Sequence, residues 1–401
     1  MSMRFRWLSG ALVALVSCLS IGCAKASRNI PSTHDLYVAS SGSSQIWGFR
    51  ANFFTGALSL INGAPFPFPS SGRNPGLIVV DSSKNFAYVS ATVPPGTNCS
   101  GSQSATTTFE IQTFSIDANG SFAPASGCPV SLNAPVTAMT LDATGKYLLV
   151  ATGVFQDELG AVFSSSMNVY SISTGVLTQV GSSVQVNNPF GSLAPVAVAL
   201  AEQASLNLIY VADQNNGFLV IYSFDPTTGA LSVPASLPPV AVGLGPSAIS
   251  IDSTGRYLYV ANRDSSNVDA FTIAPSNQSV PGSLQPIAGS PVAVGAGGGP
   301  VALAVDPSAR FLYVLDHDTN QLWAFKITAD TGALTPVTAS PFSTGSGPTG
   351  LIFSPTNRYL YVTDTLAGTV EAKGVDPTTG NLGAGAPVPC GINPVGIAVG
   401  R

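Results

Sequence analysis

Residues able to do chemistry are few in this chain, and they gather in short polar stretches. Its 401 residues include 20 acids, 15 Lys and Arg, 2 His and 5 Cys. Asp157 and Glu158 lie in GVFQDELGAVFSSS beside Phe155 and Phe163, and the other groups follow apolar runs: Asp213, Asn262-Arg263-Asp264, Asp316-His317-Asp318 and Asp364. Projected on one face, these make an acidic mouth with one Arg and one His, competing with the plainer reading of a solvated rim. Like charges in a shared concavity repel, so such a mouth favours a cationic ligand or a divalent ion such as calcium, which takes oxygen ligands. No calcium-loop spacing is present, and no Cys or His shows a paired ligand spacing, so neither a metal site nor a cofactor is predicted.

The elements that must position these groups are repeats. A Val ends an apolar run in LYVAS, AYVSA, LLVAT, IYVAD, LYVAN, LYVLD and LYVTD, at Val38, Val89, Val150, Val211, Val260, Val314 and Val362, in steps of 48 to 61 residues. Before each of the last six lies another apolar strand, as in SAISID from Ser247. After it comes a third strand marked by Phe49, Phe114, Tyr170, Tyr222, Phe271 or Phe325, with Lys373 in the last copy, and a fourth follows turns such as DPTTG. Four short strands in a repeat of this length predict an all-β fold, a seven-bladed β-propeller with four antiparallel strands per blade. The first copy lacks its leading strand, and NPVGIAVGR from Asn393 to Arg401 is a leading strand without a copy. The C-terminal strand is therefore expected to close the first blade and remove the open edges.

Turns such as DSTGR and DATGK supply the Asp and Gly that tight hairpins need. They place Lys84, Lys146, Arg256, Arg310 and Arg358 on one face, as hairpin-tip charge or as a basic ring. Two copies depart from the rest. From the YV valine to the third-strand marker is 11 residues in five copies, but 25 in the second and 20 in the third, so adjacent blades carry insertions in the same loop. Such loops are the better place to look for function. The second-blade insertion carries Cys99, and Cys128 follows that blade's outer strand. In an exported protein they pair naturally, with Cys390 left as a free thiol or as the rival partner of Cys99. Closing this loop would contribute on the order of 3 kcal/mol.

Export is read from the N-terminus. Arg4 and Arg6 precede an apolar run from Trp7 to Gly22, the layout of a secretory signal. A Cys after small residues resembles the lipobox of bacterial lipoproteins, and both Cys18 and Cys23 fit. The expected organisation is a lipoprotein-type signal over 1–22, a tether over 23–34 and the propeller over 35–401. The protein would then be membrane-anchored by lipid alone, in the periplasm or at the cell surface. Without the signal, 13 Lys and Arg face 20 acids, and no basic stripe exists to replace the counterions of nucleic acid.

YVAN and YVTD followed by SNVDAF and GTVEAK, with DPTTGALS and DTGALTPV after them, resemble the seven-bladed propeller lactonase family. That family includes the bacterial propeller type of 6-phosphogluconolactonase, and the same motifs resemble the related YVTN-repeat surface propellers. The resemblance covers roughly Asp35 to Arg401. It implies an Asn-Arg-Gly-His run after a YV strand; Asn262 and Arg263 match, while Asp264 and Ser265 replace the last two. Lactone hydrolysis needs a base for water and a group to steady the oxyanion. The His of that run is missing; His317, one blade on, would be the base and Arg263 the oxyanion partner, whereas His34 lies at the tether boundary. The reading put first is a monomeric envelope module binding a partner protein, a glycan or a small ligand. A lactonase-type hydrolase acting outside the cytoplasm is the alternative, and a structural surface propeller the third.

Overall fold

The computed structural model describes residues 32–69, 73–97, 103–104, 107–153, 155–156, 162–163, 165–186 and 197–400. Seven antiparallel sheets form the blades, each built inner to outer from successive strands except the first, whose innermost strand is the last of the chain. In the fifth blade these are Pro246–Ile251, Tyr257–Asn262, Asn267–Ile273 and Leu284–Pro286. The C-terminal strand Pro394–Val399 pairs with Thr33–Ser40, setting Val38 opposite Ile397, so the first blade is closed by the end of the chain as expected. The first strand begins at Thr33, so His34 is blade rather than tether; it is buried and stacks on Phe53 with ring centroids 4.9 Å apart. Among the described residues the helical turns are Ser41–Ser43 and Ala204–Leu206, and no helix is long and apolar enough to cross a membrane.

Strand alternation explains how the blades adhere. Successive side chains of a strand face opposite sides. In the fifth blade Tyr257 and Tyr259 enter the cluster with Leu312, Val314 and Phe325 of the sixth blade, while Leu258 and Val260 enter the cluster with Tyr210 and Leu219 of the fourth. Among the described residues, seven such clusters occupy the seven blade interfaces. The tyrosine of the YV strand also carries a polar handle, which a buried phenol needs. Tyr37, Tyr210, Tyr259 and Tyr313 each donate to a glycine carbonyl in the next blade's outer turn, at Gly120, Gly282, Gly332 and Gly380, over 2.8 to 3.0 Å. At the seam between the last and first blades the partner is His34, whose Nε2 lies 2.9 Å from the Tyr361 hydroxyl.

The hairpins between first and second strands are held by the Asp that opens them. Asp252 Oδ1 accepts from the amides of Arg256 and Tyr257 at 2.8 and 2.7 Å, and Gly255 supplies the left-handed φ of +69° that the turn requires. The three arginines at these tips lie over aromatic rings, Arg256 5.1 Å from the Tyr257 centroid, Arg310 5.8 Å from that of Phe311 and Arg358 5.9 Å from that of Phe54. Lys373, in the slot other copies fill with an aromatic ring, is buried; its Nζ meets Glu371 Oε2 at 2.6 Å and donates to the Ser343 carbonyl. The opposite face carries the loops from second to third strands. Both insertions there contain a two-stranded ribbon, Gly96–Thr97 with Gln103–Ser104 and Phe155–Gln156 with Val162–Phe163.

Candidate functional site

The second strand of each blade delivers its last residue to the loop-bearing face, and there the acidic residues divide into two sets. Asp213, Asn262, Asp316 and Asp364 are buried, and they bind the blade's own loops instead of lining an open mouth. Asp316 Oδ1 accepts from the amides of Gly299, Asp318 and Thr319 at 2.9, 3.1 and 3.1 Å. Asn216 Nδ2 donates to Asp213 Oδ2 at 2.7 Å, and Asn262 Nδ2 donates to Asn267 Oδ1 and Asp269 Oδ2 at 2.8 and 2.9 Å. The expected convergence of carboxylates therefore fails for these positions. By turning inward Asp316 satisfies loop amides that would otherwise be buried without partners. Among the described residues no group of three or more His, Cys, Asp or Glu is placed to hold a metal ion.

The second set, Arg263, Asp264, His317 and Asp318, lies one or two residues further along and reaches the surface. Asp264 is exposed. Arg263 of the fifth blade and His317 of the sixth, whose separation the sequence leaves open, meet at one carboxylate oxygen. His317 Nδ1 lies 2.8 Å from Asp318 Oδ1, and Arg263 Nη2 lies 3.1 Å from the same atom. The Arg263 and Asp318 side chains are each 42% exposed and that of His317 30%. The hydrogen bond from His317 holds the Asp318 carboxyl below its usual range, and the contact with Arg263 adds to this. With Nδ1 engaged by the carboxylate, Nε2 is the nitrogen left to accept a proton from water, the relation of an oriented imidazole to its base partner. Arg263 keeps further N–H donors, because a guanidinium carries five.

Asp157, Glu158, Cys99, Cys18 and Cys23 lie outside the described residues. Cys128 is disulfide-bonded, and Cys390 is a buried free thiol. Burial, and then the nearby Asp364, push that thiol up to about 12.

The sequence matches the family described as lactonase, 7-bladed beta-propeller, over residues 39–384. The chain belongs to that lactonase family. Solved structures like it include a putative 6-phosphogluconolactonase from Bacteroides fragilis, 19% identical, with a TM-score of 0.73 and coverage of 93% of this chain and 99% of that one. The Pseudomonas aeruginosa periplasmic gluconolactonase PpgL is 20% identical, with a TM-score of 0.74 over 92% of this chain and 99% of that one. At such identities the likeness shows the shared fold. The sequence finds no match among curated proteins. Within this lactonase framework the run after Val260 supplies Arg263, and His317 comes from the neighbouring blade.

One charged pair on this face has no counterpart among the residues singled out in the sequence. Arg73, just before the second blade's inner strand Asn74–Val80, meets Glu110 Oε1 through Nη1 at 2.8 Å, and both side chains are buried. Desolvation raises the Glu110 carboxyl against the opposing pull of Arg73. A signal existed: the loops before other inner strands, GLGP, GGGP and GSGP, carry no charge where SGRNP places Arg73.

Proposed function

We propose that this protein hydrolyses a lactone, with the chemistry on the face that carries the loops between second and third strands. The observation that carries the reading is the bridge through Asp318, which brings His317 and Arg263 to one carboxylate oxygen. In the mechanism, Asp318 orients His317, Nε2 takes a proton from an attacking water, and Arg263 steadies the oxyanion that forms on the lactone carbonyl. As the ring opens, the imidazolium returns the proton to the departing alkoxide, so His317 is regenerated and the product is a hydroxy acid. Membership of the lactonase family and the likeness to the Pseudomonas aeruginosa periplasmic gluconolactonase support this reading. They favour it over a module that only binds. We further propose export through the segment ending at Cys18 or Cys23.

The site is open to water, so each of its electrostatic contacts is screened. General acid–base help of this kind is worth roughly 10²- to 10⁴-fold. A panel of five- and six-membered lactones, phosphorylated and unphosphorylated, should show turnover by the wild-type protein. Arg263→Ala and His317→Ala should each lower kcat/KM at unchanged thermal stability. Absence of turnover across the panel would return the binding-module reading to first place.

A further inference from the structure

A groove between the second and third blades opens on the loop-bearing face, away from the fifth and sixth blades that supply Arg263 and His317. It encloses about 320 Å³, within the range of roughly 300–1,000 Å³ usual for small-ligand sites. Its lining is unlike the apolar walls of most such sites. The floor is Thr152, Ser166 and Asn168, all buried, and the rim includes Asn133, Ser183 and Gln185, all exposed. Among the described residues no charged side chain lines it.

The floor is pre-ordered by its own hydrogen bonds. Thr152 Oγ1 and Ser166 Oγ lie 3.0 Å apart, Asn168 Nδ2 donates to Ser166 Oγ at 3.2 Å, and Ser183 Oγ donates to Asn168 Oδ1 at 2.5 Å. The chain fixes orientation without exhausting capacity. Thr152 Oγ1 is fully engaged, since it also donates to the Ser166 carbonyl and accepts from the Ser166 amide, both at 3.2 Å. The Asn168 amide, however, keeps a second N–H and a second acceptor position and the rim adds Ser183 and Gln185, so the groove still presents donors and acceptors side by side. An apolar ligand would strip water from these groups and give nothing back, and an ion would find no counter-charge among the described lining residues. An uncharged molecule with closely spaced hydroxyls matches both roles at every oxygen. A fixed floor also lowers the ordering cost of binding.

We propose that this groove binds an uncharged polyol or saccharide unit. The site is independent of the lactone-hydrolysing reading and stands or falls separately from it. The test is calorimetric titration of the full-length protein with sorbitol and glucose as single units, maltotriose and cellotriose as neutral chains, and glucuronate and glucose 6-phosphate as charged comparators. Saturable binding of at least one neutral compound is expected, tighter than that of either charged one. Tighter binding of the trisaccharides than of glucose would identify a glycan chain as the source, and equal binding a single unit. The double variant Ser183→Ala/Gln185→Ala, whose positions are exposed, should weaken the affinity at least tenfold while its melting temperature stays that of the wild type. Asn168→Leu should abolish binding. The proposal is overturned if no neutral compound binds, if the charged compounds bind as tightly, or if the rim variant binds as the wild type does.

Discussion

Replacing Asp364 by Asn should make the protein more stable at neutral pH, by an amount that depends on pH. Asp364 is fully buried, and burial followed by the neighbouring Glu371 pushes its carboxyl up to about 7; hydrogen bonding from Thr369 and the charge of Lys373 oppose this. A raised carboxyl binds its proton more tightly folded than unfolded, so its contribution is present below the unfolded value near 3.8 and is lost as pH climbs to about 7. At 1.36 kcal/mol per pKa unit, the loss across that window is roughly 4 kcal/mol. Asn should fit, because Asn262 occupies the same position two blades earlier and donates to Asp269, which corresponds to Glu371. His34, across the same seam, acts with the opposite sign. Burial, then Lys84, lower it to about 4, so its contribution is lost as pH falls from 6.5 to about 4 and amounts to roughly 3 kcal/mol. In the wild type the two groups offset each other; Asp364→Asn leaves the rise from His34 unopposed. Urea unfolding of both proteins at several pH values between 4 and 8 reads the gap between them. It should widen by roughly 4 kcal/mol up to pH 7 and then stay constant. Parallel curves, or a variant less stable than the wild type at pH 8, would refute the buried-proton account.

Other outcomes follow from the same structure. Tyr259→Phe removes a donor from the Gly332 carbonyl at a blade interface and should cost about 1–3 kcal/mol in urea unfolding, with no change in lactone turnover. Deleting Asn393 to Arg401 removes the strand that closes the first blade and exposes two strand edges, so the product should be aggregated or unfolded by size-exclusion chromatography and circular dichroism. If the N-terminus carries a lipid, a fatty-acid analogue should label the protein in a bacterial host, and the Cys18→Ala/Cys23→Ala double variant should be unlabelled and released from membranes.

The ring and its closure were legible because period and alternation are written along the chain: each YV strand, each following aromatic and the orphan strand at Asn393 could be counted. The tyrosine latches were less visible. Their partners, Gly120, Gly282, Gly332 and Gly380, lie 67 to 83 residues away and contribute only a carbonyl. Asp213, Asp316 and Asp364 were misjudged for a physical reason. An acid before a polar turn serves equally as a surface charge and as the acceptor for the turn's own amides, and what decides between them is the loop ahead of the inner strand, as where Gly298 and Gly299 close over Asp316. His34 seemed peripheral because nothing local shows that Tyr361, 327 residues away, needs an acceptor. Lys373 stood out as a break in an aromatic column, but its compensation by Glu371 depends on both side chains turning to the same side of the strand. Arg263 and His317 were picked out by type and loop position, and the carboxylate that joins them emerges only when the fifth and sixth blades are side by side.

The measurement that bears most directly on the proposed chemistry is lactone turnover by Asp318→Asn. Asn keeps the shape of the bridge while removing the charge that orients His317 and engages Arg263. Because Asp318 is exposed, the fold should be untouched and the melting temperature unchanged. The account predicts that kcat/KM falls by about 10²-fold or more, most of it in kcat, since the lost orientation matters in the transition state. An Asp318→Asn protein that turns over lactones at the wild-type rate would contradict it.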